Sequence, residues 1–396
     1  MAMQTQSDRR TRRPFRRTDS GRSHQIAVIA GTRPEIIKLA PLICALEGRF
    51  GERSTMVVDT GQHYDHAMSG QFWEQLGLRP PEERLSGGGL SRSGCVGYLT
   101  VALGDVLATR HPDAVVVQGD TNSTLAGALA ANAVGVPLIH VEAGLRSRDR
   151  AMPEEHNRIV VDQLADLCCA ATRANVANLV AEGIADERIA LTGNTIVEGI
   201  NGQLPARPAR VAALARFGLV PDRYVLATIH RPENTDDSAT LRQILEALSG
   251  LVERVPVLVA LHPRTRDAIA RVGAASLLSR LIVTGPLDAG TFLSLAAHAA
   301  VIVSDSGGLA EEVTVLKRPL VIVRHSTERA ESIRAGFAIL VRPDQIEQAA
   351  ASALESGDAL LGRLSVTPSP YGDGSASKRI AALTEVLITA GNSSRV

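Results

Sequence analysis

This chain of 396 residues carries no net charge: 42 Lys and Arg stand against 42 Asp and Glu. That balance gives no reason to expect binding to nucleic acid or to an anionic membrane. No run of about 18–20 apolar residues is available to span a bilayer. No apolar leader segment precedes the first strand, which arrives at once and ends in a polar loop. The four cysteines, Cys44, Cys95, Cys168 and Cys169, include no CxxC pair, and adjacent Cys168 and Cys169 on a strand would point to opposite faces. Reduced thiols in a cytosolic protein are expected, with neither a disulfide nor a metal role. HExxH and HxxEH are absent, which argues against a catalytic zinc, and the absence of GxSxG argues against an α/β-hydrolase. Walker A and GxGxxG are missing too, so neither ATP nor NAD is indicated. The one local charge excess lies before residue 23, where Arg9, Arg10, Arg12, Arg13, Arg16, Arg17 and Arg22 cluster. Such a composition reads as a solvated, disordered tail over residues 1–23.

What the chain does contain is a regular alternation of apolar runs and helical periods, the pattern of an α/β protein with parallel sheets. Seven of the apolar runs end in short polar clusters. They are Gly31-Thr32-Arg33, Asp59-Thr60-Gly61, Gln118-Gly119-Asp120, His140-Val141-Glu142, Ile229-His230-Arg231, Leu261-His262-Pro263 and Asp305-Ser306-Gly307. In an open parallel sheet the carboxyl ends of the strands share one edge, where ligands bind. These clusters should therefore converge on one or two facing clefts. The alternation pauses at Gly202–Pro208, which reads as an interdomain linker. Two domains are expected, at 24–201 and 202–372, with a last helix from 373 to 396. A cleft between two such halves is a usual place for a small-molecule site.

Ser306-Gly307-Gly308 sits between a buried strand and a helix, where glycines admit close approach and unpaired N–H groups favour a phosphate. A tight turn without a ligand would look the same. Glu311 and Glu312 in the following turn could answer to the helix dipole or accept bonds from a ribose. Arg33 and Lys38, at a second strand-to-helix junction, could face a diphosphate. Asp120, Glu142 and Glu154 follow strand ends or loops. Asp120 could instead be a helix cap and Glu154 a favourable helix start, but carboxylates gathered in a cleft can act as acid and base. His230 and His262 could contact phosphate or carry protons.

Taken in order, the motifs resemble one family. They are Gly31-Thr32-Arg33-Pro34-Glu35, Gly61-Gln62-His63, Gly119-Asp120-Thr121, His140-Val141-Glu142-Ala143-Gly144-Leu145-Arg146, Pro153-Glu154-Glu155, Gly193-Asn194-Thr195, His230-Arg231-Pro232-Glu233-Asn234 and Asp305-Ser306-Gly307-Gly308. The ordered set is similar to the non-hydrolysing UDP-N-acetylglucosamine 2-epimerases, from about Gln25 to Ile380. The resemblance implies two Rossmann-like domains in the glycosyltransferase-B arrangement, with the last helix crossing back to the first domain. It implies interconversion of UDP-GlcNAc and UDP-ManNAc through a 2-acetamidoglucal, with no cofactor, no essential metal, and a cytoplasmic homodimer as the assembly. Its matched acids are Asp120, Glu142 and Glu154, and His230 matches a residue at the diphosphate. Arg33, Lys38, Ser306, Gly307, Gly308, Glu312 and Arg329 match UDP-binding positions, and Phe292 a residue beside the uracil.

The chain departs from the family pattern at Ala330, Ala289-Gly290, Ala310 and His325, all in the nucleotide half. Gln62-His63-Tyr64-Asp65 replaces the segment through which some members bind an activating second substrate. Three other readings share much of the pattern: a hydrolysing relative, an epimerase for another UDP-sugar such as UDP-2,3-diacetamido-glucuronate, and a glycosyltransferase-B transferase.

Overall fold

The computed structural model describes residues 24–62 and 73–393. The arginine-rich tail, His63, Tyr64 and Asp65 lie outside the described residues.

Valine- and isoleucine-rich runs, too apolar to face water on either side, form two all-parallel sheets. The first holds β1 (Ile26–Ala30), β2 (Thr55–Asp59), β3 (Glu83–Arg84), β4 (Ala114–Gln118), β5 (Leu138–Ala143), β6 (Leu167–Ala170) and β7 (Ile189–Leu191), in the order β3-β2-β1-β4-β5-β6-β7. The second holds β8 (Val225–Thr228), β9 (Val257–Ala260), β10 (Ile282–Thr284), β11 (Val301–Ser304), β12 (Leu320–Val323) and β13 (Ala338–Val341), in the order β10-β9-β8-β11-β12-β13. Each sheet has apolar cores on both faces, as helix-covered parallel sheets require. Cys169 points into one core of the first sheet and Cys168 into the other. Burial pushes the Cys168 thiol up to about 12, so it is an inert core group.

Strand order reverses direction between β1 and β4 in the first sheet and between β8 and β11 in the second. Those switch points open crevices at the carboxyl edge. Arg33 opens the helix that follows β1 and Asp120 lies in the loop after β4; the loops after β8 and β11 carry His230 and Ser306. The fold is thus a pair of Rossmann-like domains in the glycosyltransferase-B arrangement, facing each other across a cleft.

The chain passes between the halves twice. Gly193, Asn194 and Thr195 run beside Tyr371 and Gly372: the Asn194 N–H donates to the Tyr371 carbonyl at 2.8 Å, and a Cβ on Gly193 would lie 3.1 Å from that same oxygen. Gly193, Gly372 and Gly374 have φ of 85°, 114° and 81°, a region that favours glycine. The segment expected as the linker, Gly202–Pro208, overlaps the end of one helix, Ile196–Gln203, and the start of the next, Arg207–Ala215; Ile196, Val197 and Ile200 of the first are buried in the second sheet's core. The final helix, Ala376–Ser393, packs on the helix Arg33–Phe50 of the first half, with Ile380, Ala381 and Ile388 in that half's core. Beside the crossings a groove of about 1180 Å³ is lined by both halves, with Thr172, Arg173, Lys317 and Arg334 among its residues, and the Thr172 hydroxyl donates to the Glu331 carboxylate of the other half at 2.8 Å.

Candidate active site

Between the two sheet edges lies a cavity of about 770 Å³, walled by both halves. Arg33, Lys38, Asp120, Glu142, Glu154, His230, Ser306, Gly307, Gly308, Glu312 and Arg329 all line it. Phe292 does not. It lines an adjoining cavity of about 260 Å³, which shares Arg33, His230, Ser306 and Glu312 with the first. The two cavities together present an apolar end at Phe292, Leu287 and Leu293 and a polar end at the carboxylates.

On the first half, Glu35 is the organiser. Its buried carboxylate accepts from the Gly31 and Thr32 N–H groups at 2.9 and 2.7 Å and from the Thr121 and Thr124 hydroxyls at 2.6 and 3.0 Å. It thereby ties the loop after β1 to the loop after β4. Thr121, not Asp120, caps the helix Asn122–Val134, accepting from the Thr124 N–H at 3.2 Å. Asp120 is left to pair with Arg158, which also holds the Glu155 carboxylate. Glu155 accepts from the backbone of Ser147 and Arg148, fixing the loop that leads into the helix Pro153–Leu164. One residue earlier, Glu154 is exposed on the cavity wall.

Glu142 ends β5 in an unusual way. The pairing of β5 with β6 slips between Val141 and Ala143, and Glu142 takes φ of 70°, a left-handed conformation that side chains other than glycine and asparagine rarely adopt. The bulge carries its carboxylate into a buried group of charges. Lys38 pairs with it, the Asn194 side-chain amide donates to it at 2.9 Å, and the Arg329 guanidinium reaches its other oxygen at 3.1 Å. Burial alone would raise its pKa; Lys38 and Arg329 outweigh burial and hold the carboxyl well below the usual range. The resemblance places Arg329 among UDP contacts. Here its guanidinium is engaged by Glu142 and, at 2.6 Å, by Glu311, although it still borders the cavity.

On the second half, buried Asp305 accepts from the backbone N–H groups of His230 and Arg231 and lies 3.2 Å from the His230 Nδ1. Burial pushes the His230 imidazole below its ordinary pKa, and His262 and Arg231 lower it further against the pull of Asp305. His262 stands with its ring centre 5.6 Å from that of His230. The helix Gly307–Leu316 begins at the floor of the cavity, its first turn lined by Ser306, Gly307 and Gly308. Its Glu312 faces both cavities, and burial with the neighbouring Glu311 pushes the Glu312 carboxyl up to about 7.

A cleft with a helix start on one wall and acids on the other suits a nucleotide with a reactive sugar, and comparison with known proteins agrees. The family profile described as UDP-N-acetylglucosamine 2-epimerase matches residues 49–385. The chain belongs to the UDP-N-acetylglucosamine 2-epimerase family. It is an epimerase, and so an isomerase. The UDP-N-acetylglucosamine 2-epimerase of Methanocaldococcus jannaschii is 35% identical over 363 residues, covering 90% of this chain and 97% of the relative. Its crystal structure in complex with UDP-GlcNAc and UDP superposes with a TM-score of 0.79, covering 91% of this chain and 99% of that one. The UDP-2,3-diacetamido-2,3-dideoxy-D-glucuronate 2-epimerase of Pseudomonas aeruginosa is 38% identical over 361 residues, covering 90% of this chain and 98% of the relative. A glycosyltransferase from Rickettsia africae, only 11% identical, shares the fold with a TM-score of 0.59 over 92% of this chain and 99% of that one.

Within the family, this chain's departures sit where the structure can absorb them. Ala330 opens the short helix Ala330–Arg334, a position where proline is also at home. Ala310 is buried and presents its carbonyl to the Ser332 hydroxyl at 2.5 Å. Ala289 lines the smaller cavity near Phe292, leaving it wider than an aromatic would. Among the described residues no helix is long and apolar enough to cross a membrane.

Proposed function

We propose that this epimerase interconverts UDP-GlcNAc and UDP-ManNAc without hydrolysis, by eliminating UDP across carbons 1 and 2 and adding it back. The observation that carries this reading is the single cavity in which the helix start at Ser306–Gly308 faces Asp120 and Glu154. In the forward half-reaction a carboxylate takes the carbon 2 proton. The C–H electron pair becomes the C1–C2 double bond, and the C1–O pair leaves with UDP. In the return, a phosphate oxygen attacks carbon 1 and carbon 2 receives its proton on the opposite face. Two proton-transfer groups are needed; Asp120 borders the cavity from the loop after β4 and Glu154 from the first turn of the helix Pro153–Leu164. Glu142 is the third candidate; to act as a base it must loosen its pairing with Lys38.

Departure of UDP needs its growing negative charge met by fixed dipoles and cations. Ser306, Gly307 and Gly308 would supply backbone N–H groups, Arg33 and Lys38 positive charge, and Phe292 a face for the uracil. Burial works against the charged form of His230; an arriving diphosphate favours that form and so equips the imidazole to assist the leaving group. A homodimer in the cytoplasm is the proposed setting.

The kinship with the Pseudomonas enzyme favours a second reading, in which the sugar is a diacetamido uronate. Proton NMR in deuterium oxide with each UDP-sugar in turn distinguishes them. The expected outcome is deuterium at carbon 2 of both epimers from UDP-GlcNAc, with no net release of UDP. Net UDP with free ManNAc would mean a hydrolysing enzyme, and exchange confined to the uronate would move the substrate assignment.

A further inference from the structure

Five buried side chains from the two halves meet at the inner end of the cleft. Lys38, Glu142 and Asn194 come from the first half; Glu311 and Arg329 come from the second. The Lys38 Nζ lies 2.9 Å from Glu311 as well as pairing with Glu142. The Asn194 amide is the bridge between the carboxylates, donating to Glu142 at 2.9 Å and to Glu311 at 3.1 Å. Two cations balance two carboxylates, and every one of the five residues is at most 8% exposed. Neither Glu311 nor Asn194 borders the main cavity, so neither is placed to touch a sugar nucleotide.

Charges buried this deeply are tolerated only while they remain paired. None of the cross-half distances survives a separation of a few ångströms. Glu142 would then lose Arg329, Lys38 would lose Glu311, and water would enter. The cluster is consequently complete in the joined arrangement of the halves, and its buried charges oppose any movement that draws them apart. Asn194 is also part of the first chain crossing, its backbone N–H bonded to the Tyr371 carbonyl of the second. The cluster therefore sits beside the crossings, where backbone and buried charges together tie the halves.

Resting on the elimination reading above, we infer that Glu311 and Asn194 are positioning residues that latch the two halves while the unsaturated sugar is held, and that fix Glu142 and Lys38 in register. Their contribution to the reaction is retention of the intermediate. They do not transfer a proton.

The test uses the full-length protein and UDP-GlcNAc in deuterium oxide, with Glu311→Gln and Asn194→Ala. The ratio of released 2-acetamidoglucal to deuterium-labelled epimer is read by NMR, with the radius of gyration in saturating UDP from small-angle scattering. A latch predicts that the ratio rises at least about tenfold in both variants and that compaction by UDP is reduced, while carbon 2 exchange persists. Glu311→Gln removes one buried charge and can cost stability; Asn194→Ala is neutral and decides the matter if the first variant does not fold. An unchanged ratio with compaction intact in Asn194→Ala overturns the inference, whatever the loss of turnover. If the wild type itself incorporates no deuterium at carbon 2, the elimination reading has failed, which is a separate result.

Discussion

Asp120, Glu142 and Glu154 are chemically alike and differ only in what surrounds them. Asp120 is paired with Arg158 at the cavity edge, Glu154 is exposed on its wall, and Glu142 is buried and held ionised. Asp120→Asn and Glu154→Gln should each lower turnover by roughly 10²–10⁴-fold, the usual loss for an acid–base group, with melting temperature little changed. Near wild-type turnover in both would remove them from the proton path. Glu312 permits a pH prediction. Its carboxyl stands at about 7 in the folded chain against 4.5 ordinarily. Between those values the folded state holds a proton that the unfolded chain has released, so this group's share of stability falls as pH rises and stays low above about 7. Glu312→Gln should therefore raise the melting temperature relative to wild type at pH 8, with the difference shrinking towards pH 5. An equal shift at both pH values would show that Glu312 ionises normally.

At the level of elements, the carboxyl ends of the strands were legible from the chain alone. Apolar runs closed by Gly-Thr-Arg, Gly-Asp-Thr or Asp-Ser-Gly mark where a parallel sheet must open to solvent, and the switch points bring four of those ends to one cavity. Beyond sequence reasoning lay the partners made by long-range contact. Glu35 reads as an ordinary first-turn acid, yet it stitches two loops together; Glu311 reads as a dipole partner, yet it meets Arg329 and Lys38 from other elements. The edge strand β3 also escaped, because two residues give no periodicity to count. The start of the helix Gly307–Leu316 supplies a prediction at this scale. A Cβ at Gly307 would fall 2.7 Å from the Glu328 carboxylate and 3.5 Å from the Arg231 guanidinium. Glu328 is held down to about 2, against burial, by Arg329 and Arg324, so displacing it disturbs charges on the cradle. Gly307→Ala should weaken UDP binding by about tenfold, about the worth of one charge-assisted hydrogen bond, as read by calorimetry. Unaltered UDP affinity would show that the helix start is not the phosphate site.

For the molecule as a whole, ligand contacts on both walls should favour the joined arrangement of the halves. Saturating UDP is expected to reduce the radius of gyration in solution, and an unchanged radius would favour a rigid, preformed site. The route of that movement is constrained by the twin crossings at Gly193–Thr195 and Tyr371–Gly374. Two covers stitched at two neighbouring points along one spine can swing, but they cannot swivel. The pages part in front only as the boards draw together behind. The groove flanked by Arg173 and Arg334 and the nucleotide cleft should thus exchange volume in counter-phase, and a side chain too bulky for the rear of the molecule would hold its mouth shut.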